Sequence, residues 1–335
     1  MTPLKFEADN APCWSELEAA LTPAKGQAPA DGARLAALYR RVCEHLALAQ
    51  ARAYPIHLTQ RLTSLTQRAH RLIYRQQNHQ LGLRVRIGRF ALIGFPQAVR
   101  EHRWYLLVAT LLFALPMLAV GWASWRDPGF ILHLLDASAV QRFDAMYGNQ
   151  STALGRERSA DTDWQMFGYY IMNNIGVGFR CFAAGVFAGV GSAFFLVFNG
   201  LLAGAVAGYL VAAGHAENFF SFVVTHSAFE LTAIVLAGAA GLRLGYSWLA
   251  PGRRTRLEAL KHAAHSAVLV IYGVVGMLVL AAAVEAFWSS ARWVAPAVKY
   301  GVGALCWALV LAYLTWQGRP ARAAQAASKE RLHAD

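Results

Sequence analysis

The amino-acid sequence predicts an all-α integral membrane protein with about six transmembrane helices and a cytoplasmic N-terminal helical hairpin. Three observations carry this. Hydrophobic residues make up 56% of the 335 positions and charged residues only 15%, more apolar material than a soluble core requires. The apolar residues gather into tracts long enough to cross a hydrocarbon layer. The cations behind the net charge of +12 fall in the segments between those tracts. Bilayer orientation accounts for them better than a nucleic-acid partner, which would call for one basic patch with interleaved aromatics.

Residues 1–103 are soluble in character. Leu35, Leu38, Val42, Leu46 and Ala49 repeat at three and four, and after Pro55 the same period continues through Leu58, Leu62, Leu65, Ala69, Leu72 and Ile73. These form the expected hairpin. Arg84, Arg86, Arg89, Phe90, Leu92, Ile93, Phe95, Arg100 and Arg103 then mix cations with bulky apolar groups, as a segment lying in the headgroup region does. The first thirty residues offer no apolar core for a cleavable signal, so export of the N-terminus by that route is not expected.

The transmembrane domain is expected over 104–316, with spans at about 104–123, 171–197, 200–214, 228–248, 266–288 and 296–316. Trp104, Tyr105, Trp122 and Trp125 anchor the ends of the first. The loop 124–170 has six acidic residues against four arginines and is placed outside. The tract from Tyr169 to Gly214 is too long for one helix, and Asn199-Gly200 is the expected break; 200–214 is short enough to be re-entrant. Arg253, Arg254, Arg256 and Lys261 face Glu258 alone, the tail 317–335 is basic, and the first 103 residues hold fifteen Lys or Arg against seven Asp or Glu. Both termini are therefore expected in the cytoplasm.

Gly185 with Gly189, and Gly200, Gly204 and Gly208, are small residues at four-residue spacing, which lets helix backbones approach closely in lipid. They serve packing within one subunit or a homodimer interface, the row 200–208 being the preferred dimer seam. Asn173, Asn174, Arg180, Asn199, His226, Glu230 and Glu285 are polar groups in or beside spans, where hydrocarbon makes them costly. An ion pair of Arg180 with Glu230 or Glu285 is expected within the bundle.

His226 and Glu230 stand one helical turn apart, a spacing that suits two metal ligands. Zinc needs a third ligand and usually a fourth, the His-Glu-x-x-His order is absent, and His262 and His265 are expected at the opposite membrane side. The pair is expected instead to fix the outer end of the fourth span. No metal site, cofactor or catalytic residue is assigned. Phosphate loops, nucleophile elbows and paired glutamates are missing, and Cys13, Cys43, Cys181 and Cys306 lack metal or redox spacing.

Leu38-Tyr39-Arg40, Arg68-Ala69-His70 with Tyr74, Phe95-Pro96 with Arg100, Asn173-Asn174, Asn199-Gly200, His226-Ser227-Ala228-Phe229-Glu230 followed by Gly238 and Gly241, and Glu285-Ala286-Phe287-Trp288-Ser289 occur in this order. Taken together they resemble the stage II sporulation protein M family. The resemblance covers nearly the whole chain, and a long N-terminal region is a feature of its non-sporulating, Gram-negative-type branch. It implies a bacterial inner-membrane protein with a role in cell-envelope organisation. It also implies MoxR-type ATPases and RDD-type membrane proteins as candidate partners.

Three functions follow as expectations. A multi-pass scaffold that organises or recruits envelope proteins comes first. A transporter or channel component with a polar intramembrane site is the alternative, and an intramembrane hydrolase is the weaker alternative. The partners expected are the bilayer, other membrane or envelope proteins and a second copy of the chain, with no nucleic acid. A wet cavity in the bundle would favour transport, and a dry glycine-packed bundle the scaffold.

Overall fold

The computed structural model describes residues 2–22, 32–80, 82–148, 160–291 and 293–319. The tail beyond Arg319 and the middle of the loop expected outside, 149–159, lie outside the described residues. The chain forms two compact units, Met1–Gly88 and Arg89–Asp335.

The first unit is built on α1 (Pro3–Leu21), α2 (Gly32–Ala51) and α3 (Ile56–Gln80). The hairpin expected from periodicity is α2 and α3, with Leu35, Leu38, Val42, Leu58, Leu62 and Leu65 buried between them. The sequence reading missed α1. It buries Phe6, Trp14 and Leu17 on the same core, and its acidic residues meet cations of the other helices, Glu16 with Arg34 at 2.6 Å and Glu18 with Arg61 at 3.3 Å. Three widely spaced apolar residues around Pro12 gave no periodic stripe, although Thr2 caps the first turn.

A short α4 (Leu83–Arg89), a π-helical turn Phe90–Gly94 and α5 (Phe95–Glu101) lead to α6 (Arg103–Arg126). The segment expected among headgroups does more than lie there. Phe95 and Val99 are buried, and the Phe95 ring fits the gap left by Gly273. Arg100 donates to the carbonyls of Leu314 and Gln317 at 3.1 and 2.7 Å.

After a 3-10 turn (Pro128–His133) and α7 (Ala137–Tyr147) come α8 (Ala160–Ala183), a 3-10 turn at Ala184–Val186 and α9 (Val190–Ala212). Then follow α10 (Ala216–Leu249), α11 (Arg256–Val284, continued by a π-helical turn Glu285–Ser289) and α12 (Pro296–Trp316). The break in the long apolar tract is thus at 184–189, and not at Asn199-Gly200. There Ala188 (φ 51°) and Gly189 (φ 83°) turn the chain in the left-handed region. Asn199 leaves the helix intact because its amide donates to the Phe195 carbonyl at 2.7 Å, one turn back. Gly200 serves close packing instead.

Among the described residues five helices are long and apolar enough to cross a membrane: α6, α9, α10, α11 with its π turn, and α12. The expected second span, 171–197, divides between α8 and α9, and α8 is not among the five, since Asp163, Asn173, Asn174 and Arg180 dilute it. It nevertheless runs the depth of the bundle. Trp164 and Phe167 meet Phe287 near its start, with ring centroids 5.2 and 5.6 Å apart, while at its end the Cys181 carbonyl accepts from Ser192 at 2.6 Å. The order of contacts fixes directions: Gly200, Gly204 and Gly208 of α9 face Phe113, Met117 and Gly121 of α6, so these two run parallel. Leu196, Ser192 and Gly189 face Gly238, Gly241 and Gly245, so α9 and α10 run antiparallel.

The glycine rows are seams inside one chain. A Cβ at Gly200, Gly204 or Gly208 would overlap the carbonyl oxygen of Phe113, Met117 or Gly121, and Gly185 is pressed in the same way on Gly241. Gly189 packs against Leu242. The row expected as a dimer seam is therefore already filled by α6.

Candidate functional site

α10 presents His226 and Glu230 on one face, and the sequence reading placed them at the helix entrance. The helix begins ten residues earlier, at Ala216, with Glu217 in its first turn. His226 and Glu230 are therefore more than two turns in, where the N-terminal dipole no longer acts on them. The cap role expected for the pair fails for that reason.

What the fold adds is Glu285. It opens the π-helical turn that ends α11, in which Ala286 and Ser289 are buried. One ligand atom each from His226, Glu230 and Glu285 lie within 4.8 Å of one another. His226 Nε2 is 4.0 Å from the Glu230 carboxylate. On its other side, His226 Nδ1 is 3.0 Å from the Ser289 hydroxyl, and Phe222 stacks edge-on against the ring at 5.4 Å.

The surroundings hold this cluster in place. Lys299, buried at the start of α12, donates to the Ser289 carbonyl at 2.8 Å, and Thr225 donates to the Lys299 carbonyl at 3.4 Å. Asn174 of α8 lies beside Glu285 and is only 2% exposed. Its Oδ1 accepts from Asn173 at 3.0 Å, but its Nδ2 and the indole nitrogen of Trp288 reach no hydrogen-bond partner among the described residues. Tyr147 of α7 packs against Phe219 and Phe222. Burial and then the Glu285 carboxylate push its phenol above the usual range.

Not every expected partner joins. Arg180 is exposed near the C-terminal end of α8 and makes no ion pair with either glutamate among the described residues; its turn packs through Gly178 on Leu278 and through Cys181 on Gly241, eleven residues along α10 from Glu230. Asn173 is exposed and Asn199 half-buried; both line a cavity of about 1090 Å³ between α6, α9 and α10. Apart from these two, Ser227 and Glu230, its walls are apolar, with Trp122 and Trp125 at an exposed rim. Glu230 joins the cavity to the cluster. The bundle thus combines glycine-packed seams with an open cavity whose walls are mostly apolar.

Residues 109–290 match the sequence profile described as Stage II sporulation protein M, over half of the chain, from α6 to the Ser289 turn. The chain belongs to the stage II sporulation protein M family. The matched stretch contains the whole His226, Glu230 and Glu285 cluster and the seam between α6 and α9, and stops before Lys299. Residues 4–75 match a separate domain of unknown function (DUF8413), which coincides with α1–α3 and accords with their separate core. Searches of curated proteins and of solved structures give no match.

Ser289, Trp288 and Tyr147 were not singled out from sequence as site residues. Ser289 is one of fourteen serines until α11 brings it under His226; only its place in the Glu285–Ser289 run hints at a role.

Proposed function

We propose that the protein is the membrane component of a system that moves or presents an amphiphile, which it holds in the cavity between α6, α9 and α10. The single supporting observation is Glu230, a carboxyl group in the wall of an otherwise apolar cavity of about 1090 Å³ with His226 and Glu285 behind it. A void of this size open toward hydrocarbon fills with acyl chain, since an empty one forfeits dispersion contacts along its whole wall. A carboxyl group at its deep end selects for a molecule with a polar head. This reading places the polar intramembrane site above the pure scaffold.

In the same reading the protein sits in the bacterial inner membrane with both termini cytoplasmic. Support comes from the basic character of residues 1–103 and of the α10–α11 loop. Arg100 bonding to the end of α12 also puts the start and end of the second unit on one side of the bundle.

The test is lipid retention. The full-length protein is purified in mild detergent, and bound lipid is measured by native mass spectrometry for the wild type, Ala207→Phe and Glu230→Gln. Ala207 lines the cavity, so its enlargement should reduce bound lipid several-fold while the chain stays folded. Equal lipid in all three proteins would overturn the proposal.

A recruiting role is the second reading, favoured by the separately packed helices of Met1–Gly88. There α1–α3 would dock partners such as MoxR-type ATPases or RDD-type membrane proteins. Affinity capture of the intact protein from membranes, with and without residues 1–80, tests it.

A further inference from the structure

We propose that His226, Glu230 and Glu285 form a binding site for a zinc-class divalent cation, with its free coordination position toward the cavity. The donor set is one imidazole and two carboxylates from two helices, converging within 4.8 Å. Mixed nitrogen and oxygen donors suit Zn²⁺ and its first-row neighbours, whereas Ca²⁺ and Mg²⁺ take all-oxygen shells. Small side-chain rotations bring such donors to bond lengths of about 2.0–2.2 Å.

Two further observations point to a ligand. His226 Nδ1 lies 3.0 Å from the Ser289 hydroxyl and Nε2 4.0 Å from the Glu230 carboxylate; in the tautomer with its proton on Nδ1 the Nε2 lone pair faces the glutamates, the outer-shell arrangement that fixes a metal-binding imidazole. Ser289 is itself held by Lys299 through its carbonyl. Asn174, 2% exposed, brings its side-chain amide against Glu285, so a third helix closes the cluster.

Charge points the same way. Two carboxyl groups share a half-buried site, and among the described residues neither forms an ion pair with a Lys or Arg. Burying like charges without a counter-charge is costly, and a divalent cation removes that cost. The inference stands whether or not an amphiphile fills the cavity.

The test uses the full-length chain in nanodiscs. Zn²⁺ content after chelation, reloading and desalting is measured by mass spectrometry, beside the visible spectrum of the Co²⁺-loaded protein. The wild type should hold roughly one ion per chain and show the intense ligand-field bands of four- or five-coordinate Co²⁺. His226→Gln and Glu285→Gln should each lower retention at least tenfold, and His265→Gln, exposed on α11, should leave it unchanged. A folded wild type that binds no more metal than His226→Gln, or that shows only the weak bands of hydrated Co²⁺, overturns the site. If Glu285→Gln does not fold, the wild-type spectrum alone decides. Lipid retention is a separate readout, so the cavity proposal and this one fail independently.

Discussion

Gly204 of α9 lies so close to Met117 of α6 that a Cβ on it would overlap the Met117 carbonyl oxygen. The atom in the way is backbone, which cannot step aside as a side chain can. Gly204→Leu should therefore damage folding of the subunit rather than turn a dimer into monomers. The expected cost is at least 1–3 kcal/mol, roughly the range for overpacking. Thermal unfolding in detergent together with the molar mass of the folded fraction checks it; a stable monomer from a wild-type dimer would refute the intrachain assignment.

Ala188 holds φ at 51° in the turn between α8 and α9. A residue with a Cβ is strained in that region by about 1–2 kcal/mol, while glycine adds unfolded-state entropy that offsets part of the relief. Ala188→Gly should thus leave stability unchanged or raise it by about 0.5–1 kcal/mol. Gly189→Ala, at φ 83° beside it, should lower it. Melting temperatures of the two variants, compared in one detergent, should fall for Gly189→Ala and not for Ala188→Gly.

Accessibility distinguishes the two ends of the bundle. In a protein without native cysteines, Ser138→Cys and Trp293→Cys should react with an impermeant reagent from the periplasmic side. Arg254→Cys, in the turn between α10 and α11, should react only after the membrane is opened. Labelling of Arg254→Cys in intact cells would invert or break the proposed topology.

His45 accepts a hydrogen bond at Nδ1 from the Trp14 indole N–H at 3.0 Å, and burial lowers its affinity for a proton. The folded state holds it neutral, whereas the unfolded chain titrates near about 6.5. The unfolded state then binds more protons as pH falls through that value, so the first unit should lose stability from about pH 7 downward and level off below the folded pKa. Hydrogen exchange in α1 and α2 of the full chain at pH 7.5 and 5.5 measures this. His45→Gln, which keeps an acceptor but does not titrate, should flatten the difference.

The family match and the helical fold were legible in the sequence for a physical reason: hydrocarbon demands long uncharged runs, and those survive any uncertainty about packing. The α2–α3 pair was legible because a soluble helix on a core must repeat at three and four. The first helix was not, since Phe6, Trp14 and Leu17 are large enough to fill a core without making a stripe. Glycine spacing announced close helix contact yet could not say with what; only the parallel run of α6 and α9 assigns Gly200, Gly204 and Gly208 to one subunit.

The candidate site divides in the same way. His226 and Glu230 are one turn apart on any helix, so their pairing was fixed by local geometry. Glu285 is 55 positions further on in the chain, and it enters the site through the π-helical turn at the end of α11 and the antiparallel return from α10. The sequence by itself determined which residues are costly in a membrane, because that cost depends on residue type. Which of them share a site, His226 with Glu285 and Ser289 but not with Arg180, was decided by tertiary structure, because helix rotation and depth are set by side chains packing between helices that the sequence keeps far apart.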